Sequence, residues 1–435
     1  MLFLICCGIM FLHCRLSQVC FFAADFWRTT MKKVAIIAND IAMPGEKGLN
    51  RLRYFAELLS NQGYDVEVIT ADFQHWSKQY RTKEDMERIN KELNCHVTFI
   101  HENSYTKNID IKRFVSYSVL TKNVRKHLEQ HHYDLCYALI PDNHLAATVG
   151  RYAKKSGIPF IVDVEDLWPE AMRMVLDVPV VSDVLFSCFS VAAKHAYKLA
   201  DAVVGSSDEY RDEPLKYGVR VPKAITVYVG NVLADFDKGV KECSSKIEKS
   251  EGEFWVTYAG TLGTSYDIAT FVKAVGLLNK KGYKDIKAVL LGDGPLRKDF
   301  ESAAKNADCN VLFTGYLDQH TMAAYLAKSD VTLNSLVSKA SQSIVSKIGD
   351  YLAAGVPMIN TGLNKEFCEK VNADGFGVNV APENVEVLAD TILSLYNDRE
   401  KCEKMGLTAR KIAEEQFDRP VTYMKIVELI RGFIG

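Results

Sequence analysis

The chain has 435 residues, 48% apolar and 25% charged, which is the composition of a soluble globular protein and too long for one ordinary core, so two domains are expected. With 53 basic and 55 acidic residues the net charge is −2, which gives no support for nucleic acid as a partner. The 11 cysteines form no C-x-x-C pair, and their scatter reads as reduced thiols of a cytoplasmic protein rather than a disulfide framework or zinc site.

Residues 1–30 stand apart. Leu2 to Leu12 is apolar, but no Lys or Arg precedes it as in a signal peptide, and it falls short of the ~20 residues of a membrane span. Met31-Lys32-Lys33 then leads straight into a strand, so an upstream start-site extension is expected, with a hydrophobic membrane-anchoring leader as the alternative. Val34 to Ala38 is a continuous apolar run and predicts a buried strand. The loop Asn39 to Gly48 follows, then a helix from Asn50 to Asn61 with Leu52, Phe55, Leu58 and Leu59 on one face, then the strand Val66 to Ile69. Strand–helix–strand implies a parallel sheet. The pattern repeats through strand Val97–Ile100, the basic helix Ile111–His131, strand Leu135–Ile140, helix Leu145–Ser156, strand Pro159–Val164, helix Val181–Leu199 and strand Ala202–Gly205. One doubly wound domain over residues 31–220 is expected.

Residues 236–253 are charged and read as a linker or surface insertion within a second unit, residues 221–415. A new cycle starts at Phe254–Tyr258 and runs through helix Ile268–Lys280, strand Ala288–Leu291, a helix to Asn306, strand Val311–Thr314, helix Met322–Ala327 and strand Val331–Leu333. Then comes Ser346 to Gly362, a short helix stopped by Gly355 and Pro357 before a buried strand. Lys347 and Asp350 lie three apart, so a shared helical face is expected. Residues 416–435 read as a last helix, Val421 to Ile434, returning to the first domain.

In open parallel sheets ligands bind at the carboxyl ends of strands, where the informative loops lie. Gly45 and Gly48 occupy the first loop, which lacks the G-x-G-x-x-G dinucleotide fingerprint. Gly260 and Gly263 follow a buried strand and let backbone approach a ligand. Gly292-Asp293-Gly294-Pro295 is a tight turn. Gly315 and Tyr316 can face a planar base, and Ser341, Gln342 and Ser343 precede a helix start that suits a diphosphate. An aromatic and basic stretch from Phe73 to Lys83 and the basic helix after Ile111 suit an anionic membrane surface; a solvated face is the alternative.

In order and spacing these blocks resemble the glycosyltransferases of family 4, across Met31 to Gly435. Tyr258-Ala259-Gly260, Leu291-Gly292-Asp293-Gly294-Pro295, Phe313-Thr314-Gly315-Tyr316 and Lys347-Ile348-Gly349-Asp350-Tyr351-Leu352-Ala353-Ala354-Gly355-Val356-Pro357 carry the resemblance. Val162-Asp163-Val164-Glu165-Asp166-Leu167-Trp168-Pro169-Glu170 looks like the bacterial O-antigen and capsule subgroup. The resemblance implies an α/β GT-B fold, two doubly wound Rossmann-like domains facing a central cleft, with residues 31–220 as the acceptor domain and residues 221–415 as the nucleotide-sugar donor domain. It implies a retaining transferase with a nucleotide-sugar donor, UDP-linked by expectation, a glycan or lipid-linked acceptor, no obligatory metal or other cofactor, and peripheral contact with the inner membrane face.

By the same resemblance Asp350 falls where a carboxylate binds the donor ribose, and Gln342 where a second carboxylate contacts the donor sugar. Lys347 matches a lysine that offsets diphosphate charge, with Ser343 beside it, and Gly315 and Tyr316 flank the base. Thr264 to Asp267 carry no basic residue, although members of the family commonly place one there. Asp166 and Glu170 are the acidic candidates of the first half, with a helix cap and a salt link as their alternatives. His144 is a candidate sugar contact or a plain helix residue. A non-catalytic nucleotide-sugar-binding scaffold and a sugar-nucleotide epimerase are the competing functional readings.

Overall fold

The computed structural model describes residues 31–435 apart from 47, 49, 108–110, 169–180 and 341–343. Expectations that fall on residues 1–30 and on Glu170, Ser341, Gln342 and Ser343 lie outside the described residues. Two parallel sheets dominate. The first contains β1 (Lys33–Ile37), β2 (Asp65–Ala71), β5 (His96–Ile100), β6 (Leu135–Ile140), β7 (Phe160–Val164), β8 (Ala202–Gly205) and β9 (Lys223–Thr226), in the order β5-β2-β1-β6-β7-β8-β9. A short antiparallel pair, β3 (Phe73–Gln74) and β4 (Gln79–Tyr80), stands beside it. The second contains β10 (Phe254–Ala259), β11 (Ile286–Leu291), β12 (Val311–Gly315), β13 (Val331–Asn334), β14 (Met358–Asn360) and β15 (Gly377–Asn379), in the order β12-β11-β10-β13-β14-β15.

The apolar runs explain both sheets. Every residue of β6, β7, β8 and β10 is buried, as expected of strands covered by helices on both faces. Register is set by the same residues: Val34 lies between Val66 of β2 and Leu135 of β6, and Val256 between Ala288 of β11 and Val331 of β13. Each order reverses once, at β1/β6 and at β10/β13, and opens a crevice at the carboxyl ends of those strands.

Two expectations change. The first sheet runs past residue 220, because Ala202–Gly205 pairs in parallel with Lys223–Thr226. The charged stretch from residue 236 is not a plain linker. It begins within a helix, Leu233–Cys243, whose Leu233, Phe236 and Cys243 repeat at helical spacing and bury. They pack into the apolar core with Ala323, Ala324 and Leu326 of the helix Gln319–Ala327, and the surface charges had masked this stripe. The basic helix spans Ile111–Leu128 and the last helix Met424–Ile434, after a short turn Arg419–Thr422. Tyr423, Ile426, Val427 and Ile430 enter the core of the first half beside Val34, Leu52 and Phe55, so the chain end ties the halves together.

Candidate functional site at the second switch point

The loops after β10, β11 and β12 are stacked on one another by backbone hydrogen bonds. Gly260 N donates to Leu291 O at 2.8 Å, Leu262 N to Asp293 O at 3.0 Å, and Gly292 N to Gly315 O at 2.9 Å. Gly292 has φ +143°, and a Cβ there would lie 2.0 Å from Gly260 O, so only glycine lets the loops touch. Gly263 faces open space, with nothing nearer its Cβ position than Thr261 Cγ2 at 3.7 Å. Gly315 ends β12 beside the Arg297 guanidinium, and Tyr316 is 71% exposed at the rim.

The short helix Ile348–Ala353 brings up the charged residues and stops as expected, with Gly355 in the left-handed region at φ +68°. Tyr351 pins it to β10: its hydroxyl donates to Ala259 O at 3.0 Å and accepts from Ala259 N at 2.8 Å. Lys347 is the N-cap residue, and its amine reaches back over the Gly260 loop. Nζ donates to Tyr258 Oη at 3.2 Å and stands 4.4 Å and 3.9 Å from the ring centroids of Tyr258 and Tyr266. Among the described residues no carboxylate lies within salt-bridge distance of it. Burial alone lowers its pKa from 10.5 to about 7.

Asp350 goes the other way. Its Oδ1 accepts from Asn231 Nδ2 at 2.8 Å, at the crossing between the halves, and burial raises its pKa despite that bond. Lys347 and Asp350 thus make no ion pair with each other, since each side chain has another partner. The lysine side chain turns to Tyr258 and the aspartate to Asn231, so a spacing of three does not bring the charges together. Ser265 and Asp267 have structural duties: Ser265 O accepts from Val337 N at 3.2 Å, and Asp267 caps the helix Ile268–Lys280 through Thr270 N at 3.2 Å.

Gly260, Gly263, Gly315, Tyr316, Lys347 and Asp350 thus gather around the second switch point. Gly45 and Gly48 do not; they lie in the first half, Gly48 against the Trp76 indole. Asp166 occupies the turn after β7, where its Oδ1 accepts from Leu167 N at 2.9 Å. His144 opens the helix Asn143–Ser156, capped by Asp142, and its ring stands edge-on to Phe189 at 5.4 Å. Among the described residues no cluster of His, Cys, Asp and Glu is arranged to hold a metal ion.

Several residues escaped the sequence reading. Tyr258 and Tyr266 frame the lysine. In the first half Arg51 is 2% exposed and its Nη1 bonds both Asp163 and Glu165, while Tyr137 Oη donates to Asp163 Oδ2 at 2.6 Å. A carboxylate inside the apolar strand Phe160–Val164 was the available signal, since a buried acid needs a donor. Two further contacts join the halves. Arg419 Nη1 donates to Asn50 Oδ1 at 2.6 Å, and the Glu366 carboxylate accepts from Asp208 N and Glu209 N at 2.9 and 2.8 Å.

Residues 240–412 match the family model of the glycosyl transferases group 1. No protein of curated function matches the chain by sequence. Among solved structures the fold is similar to HepE from Anabaena in complex with UDP, at 14% identity and a TM-score of 0.69, covering 92% of this chain and 100% of that one. Sucrose-phosphate synthase from Thermosynechococcus elongatus follows, with 16% identity, a TM-score of 0.67 and coverage of 92% and 98%. WaaG, a glycosyltransferase involved in lipopolysaccharide biosynthesis, has 14% identity, a TM-score of 0.66 and coverage of 92% and 100%. The two Rossmann-like sheets have the GT-B arrangement of these structures, and together with the family match over the second half they support a GT-B glycosyltransferase.

Proposed function

We propose that the protein is a retaining transferase of the family 4 type. It moves a sugar from a nucleoside-diphosphate sugar, UDP-linked, to a growing or lipid-linked cell-surface glycan of the O-antigen or capsule kind. The observation that carries this reading is Lys347: an amine without a carboxylate partner among the described residues, held over the Gly260 loop at the switch point of a parallel sheet. A diphosphate is the ligand that such a cation and the nearby loop amides would bind. Lys347 also brings positive charge over Tyr266, within the stretch where the sequence has no basic residue of its own. UDP in the HepE structure supports the uridine assignment.

In this reading Asp350 takes the ribose hydroxyls, Gly315 and Tyr316 flank the base, Gly260, Gly263 and Ser343 approach the phosphates, and Gln342 contacts the donor sugar. Asp166 is the acidic group offered from the first half. The leaving diphosphate itself assists deprotonation of the acceptor hydroxyl from the same face. Rate then comes from positioning and from charge stabilisation by Lys347, with no metal ion needed. The work takes place in the cytoplasm, at the inner membrane face where a lipid-linked acceptor is presented. No helix among the described residues is long and apolar enough to cross a membrane.

The test is thermal stabilisation of the purified chain by UDP, ADP and GDP, followed by release of UDP from UDP-sugars. Stabilisation by UDP above the other two is expected. No shift with any nucleoside diphosphate removes the proposal, and binding without turnover on any acceptor leaves a nucleotide-sugar-binding scaffold.

A further inference from the structure

Three helices of the first half, Ile111–Leu128, Asn143–Ser156 and Val181–Leu199, pack on one face of the sheet and leave a groove of about 1170 Å³ between them. Ala147 and Ala192 line it with side chains too small to fill it. Each helix links two strands of one parallel sheet, so all three run the same way. Their C-termini lie at the end of the sheet opposite the carboxyl ends of the strands.

The lining changes in character along the helices. Toward their N-termini stand Phe114 and Tyr117 of the first and Phe186 and Phe189 of the third, whose rings belong to one aromatic cluster. Toward the C-termini stand Lys122 and Arg125 of the first, Arg151 of the second, and Lys194 and Lys198 of the third, all exposed. Arg125 pairs with Glu129 at the surface, and the other four have no carboxylate within salt-bridge distance among the described residues. Lys122, Arg151 and Lys194 also precede the last helical turns, so complementing the helix dipoles does not account for them. Among the described lining residues Asp142 is the one acid, and it is buried as the cap of the second helix, at the aromatic end.

An aromatic end and a cationic end match a ligand with an apolar tail and an anionic head. Phe114 and Arg125 lie ~16 Å apart along their helix, at about 1.5 Å per residue, which is the reach of a medium-length alkyl chain. The form of the groove separates one such molecule from a bilayer: Phe186 and Phe189 are 4% and 8% exposed, recessed where a flat lipid surface does not reach. We propose that the groove binds a single anionic amphiphile, its alkyl chain along the aromatic end and its phosphate or carboxylate head among Arg125, Arg151 and Lys198. This direction sets the site apart from the transfer reaction. The head lies at the end of the sheet away from the cleft, whereas a lipid-linked acceptor has to bring its phosphate and sugar into the cleft. The proposal therefore stands independently of the transfer reading.

The experiment is titration calorimetry on the full chain with dodecanoate, dodecyl phosphate, octyl phosphate, dodecyltrimethylammonium and inorganic phosphate, the amphiphiles below their micelle concentrations, together with flotation on phosphatidylglycerol vesicles. One-to-one binding of a dodecyl anion is expected, and the tighter of the two names the head group. Octyl phosphate should bind at least tenfold more weakly than dodecyl phosphate, because its chain buries fewer methylenes. The double variant Arg151→Glu, Lys198→Glu and the single variant Val191→Glu, in the groove lining at a position 68% exposed, should each weaken binding tenfold or more. All three positions are exposed, so the unfolding midpoint, the control for folding, should stay in place. Binding to vesicles alone overturns the proposal, since the helices would then meet a bilayer surface. Octyl phosphate, inorganic phosphate or the dodecyl cation binding as tightly as dodecyl phosphate overturns it too, as does failure of both dodecyl anions or unchanged binding in either variant.

Discussion

Replacing Lys347 by methionine is expected to stabilise the fold while weakening donor binding. The native amine is enclosed by Tyr258 and Tyr266, and burial lowers its pKa from 10.5 to about 7. In the unfolded chain the amine titrates at its ordinary value. Below pH 7 it is charged in both states, and the whole desolvation cost opposes folding. Above pH 10.5 it is neutral in both states, and that cost is absent. Stability therefore rises with pH through this window, the reverse of what a lysine with a carboxylate partner would give. The full difference corresponds to at most about 5 kcal/mol. Partial exposure of the side chain reduces this to about 1–3 kcal/mol.

Methionine keeps the apolar stem against the two rings and carries no charge to desolvate. For a domain of this size the gain is a rise in Tm of about 3–8 °C at pH 6.5. The assay is thermal unfolding of both proteins, without nucleotide, at pH 6.5 and at pH 9.5, where the advantage of Lys347→Met should shrink. UDP affinity should fall about 10- to 100-fold in the variant, the worth of one charge-assisted hydrogen bond. A variant less stable than the native chain at pH 6.5, or a difference that does not change with pH, would refute the reasoning.

Three further outcomes are expected. UDP-glucose binding should restore the Lys347 charge, so affinity is flat below pH 7 and weakens by up to about tenfold per pH unit above it; titration calorimetry in buffers of different ionisation enthalpy at pH 7.5 should show proton uptake. Gly292→Ala places a methyl group 2.0 Å from Gly260 O at φ +143° and should cost about 2–4 kcal/mol in urea unfolding, so a neutral result would contradict the stacked loops. Glu366→Ala removes the acceptor for Asp208 N and Glu209 N across the halves and should favour open forms about tenfold; small-angle scattering would show a larger radius, and an unchanged profile would count against the clasp.

What the sequence revealed and what it hid divide along the range of the interactions. Apolar runs such as Val34 to Ile37 and the Gly355–Pro357 stop act within a few residues, and they predict strands, a helix end and, through their alternation, two parallel sheets. The glycine loops were legible because a bare backbone at a strand end is itself a local signal. The partners were not. Tyr258 lies 89 residues from Lys347, Asn231 lies 119 from Asp350, and Asp163 lies 112 from Arg51. Only the folded order of the strands brings these residues together, and no period in the sequence records it. The helix Leu233–Cys243 failed for a different reason: its buried stripe is thin, and its surface charges dominate the composition.

Lys347 and Asp350 show the consequence most clearly. Spacing alone puts an acid and a base three residues apart on one helical face, within reach of an ion pair. An ion pair would hold the lysine pKa up and the aspartate pKa down. The structure gives both shifts the opposite sign: the lysine falls to about 7 and the aspartate rises, each through burial. The signs follow from the geometry, since one side chain turns toward β10 and the other toward Asn231. Burial thus drives each group toward its neutral form. A ligand that presents an anion to one and hydroxyls to the other would restore both charges, so binding and protonation at the two residues should be coupled.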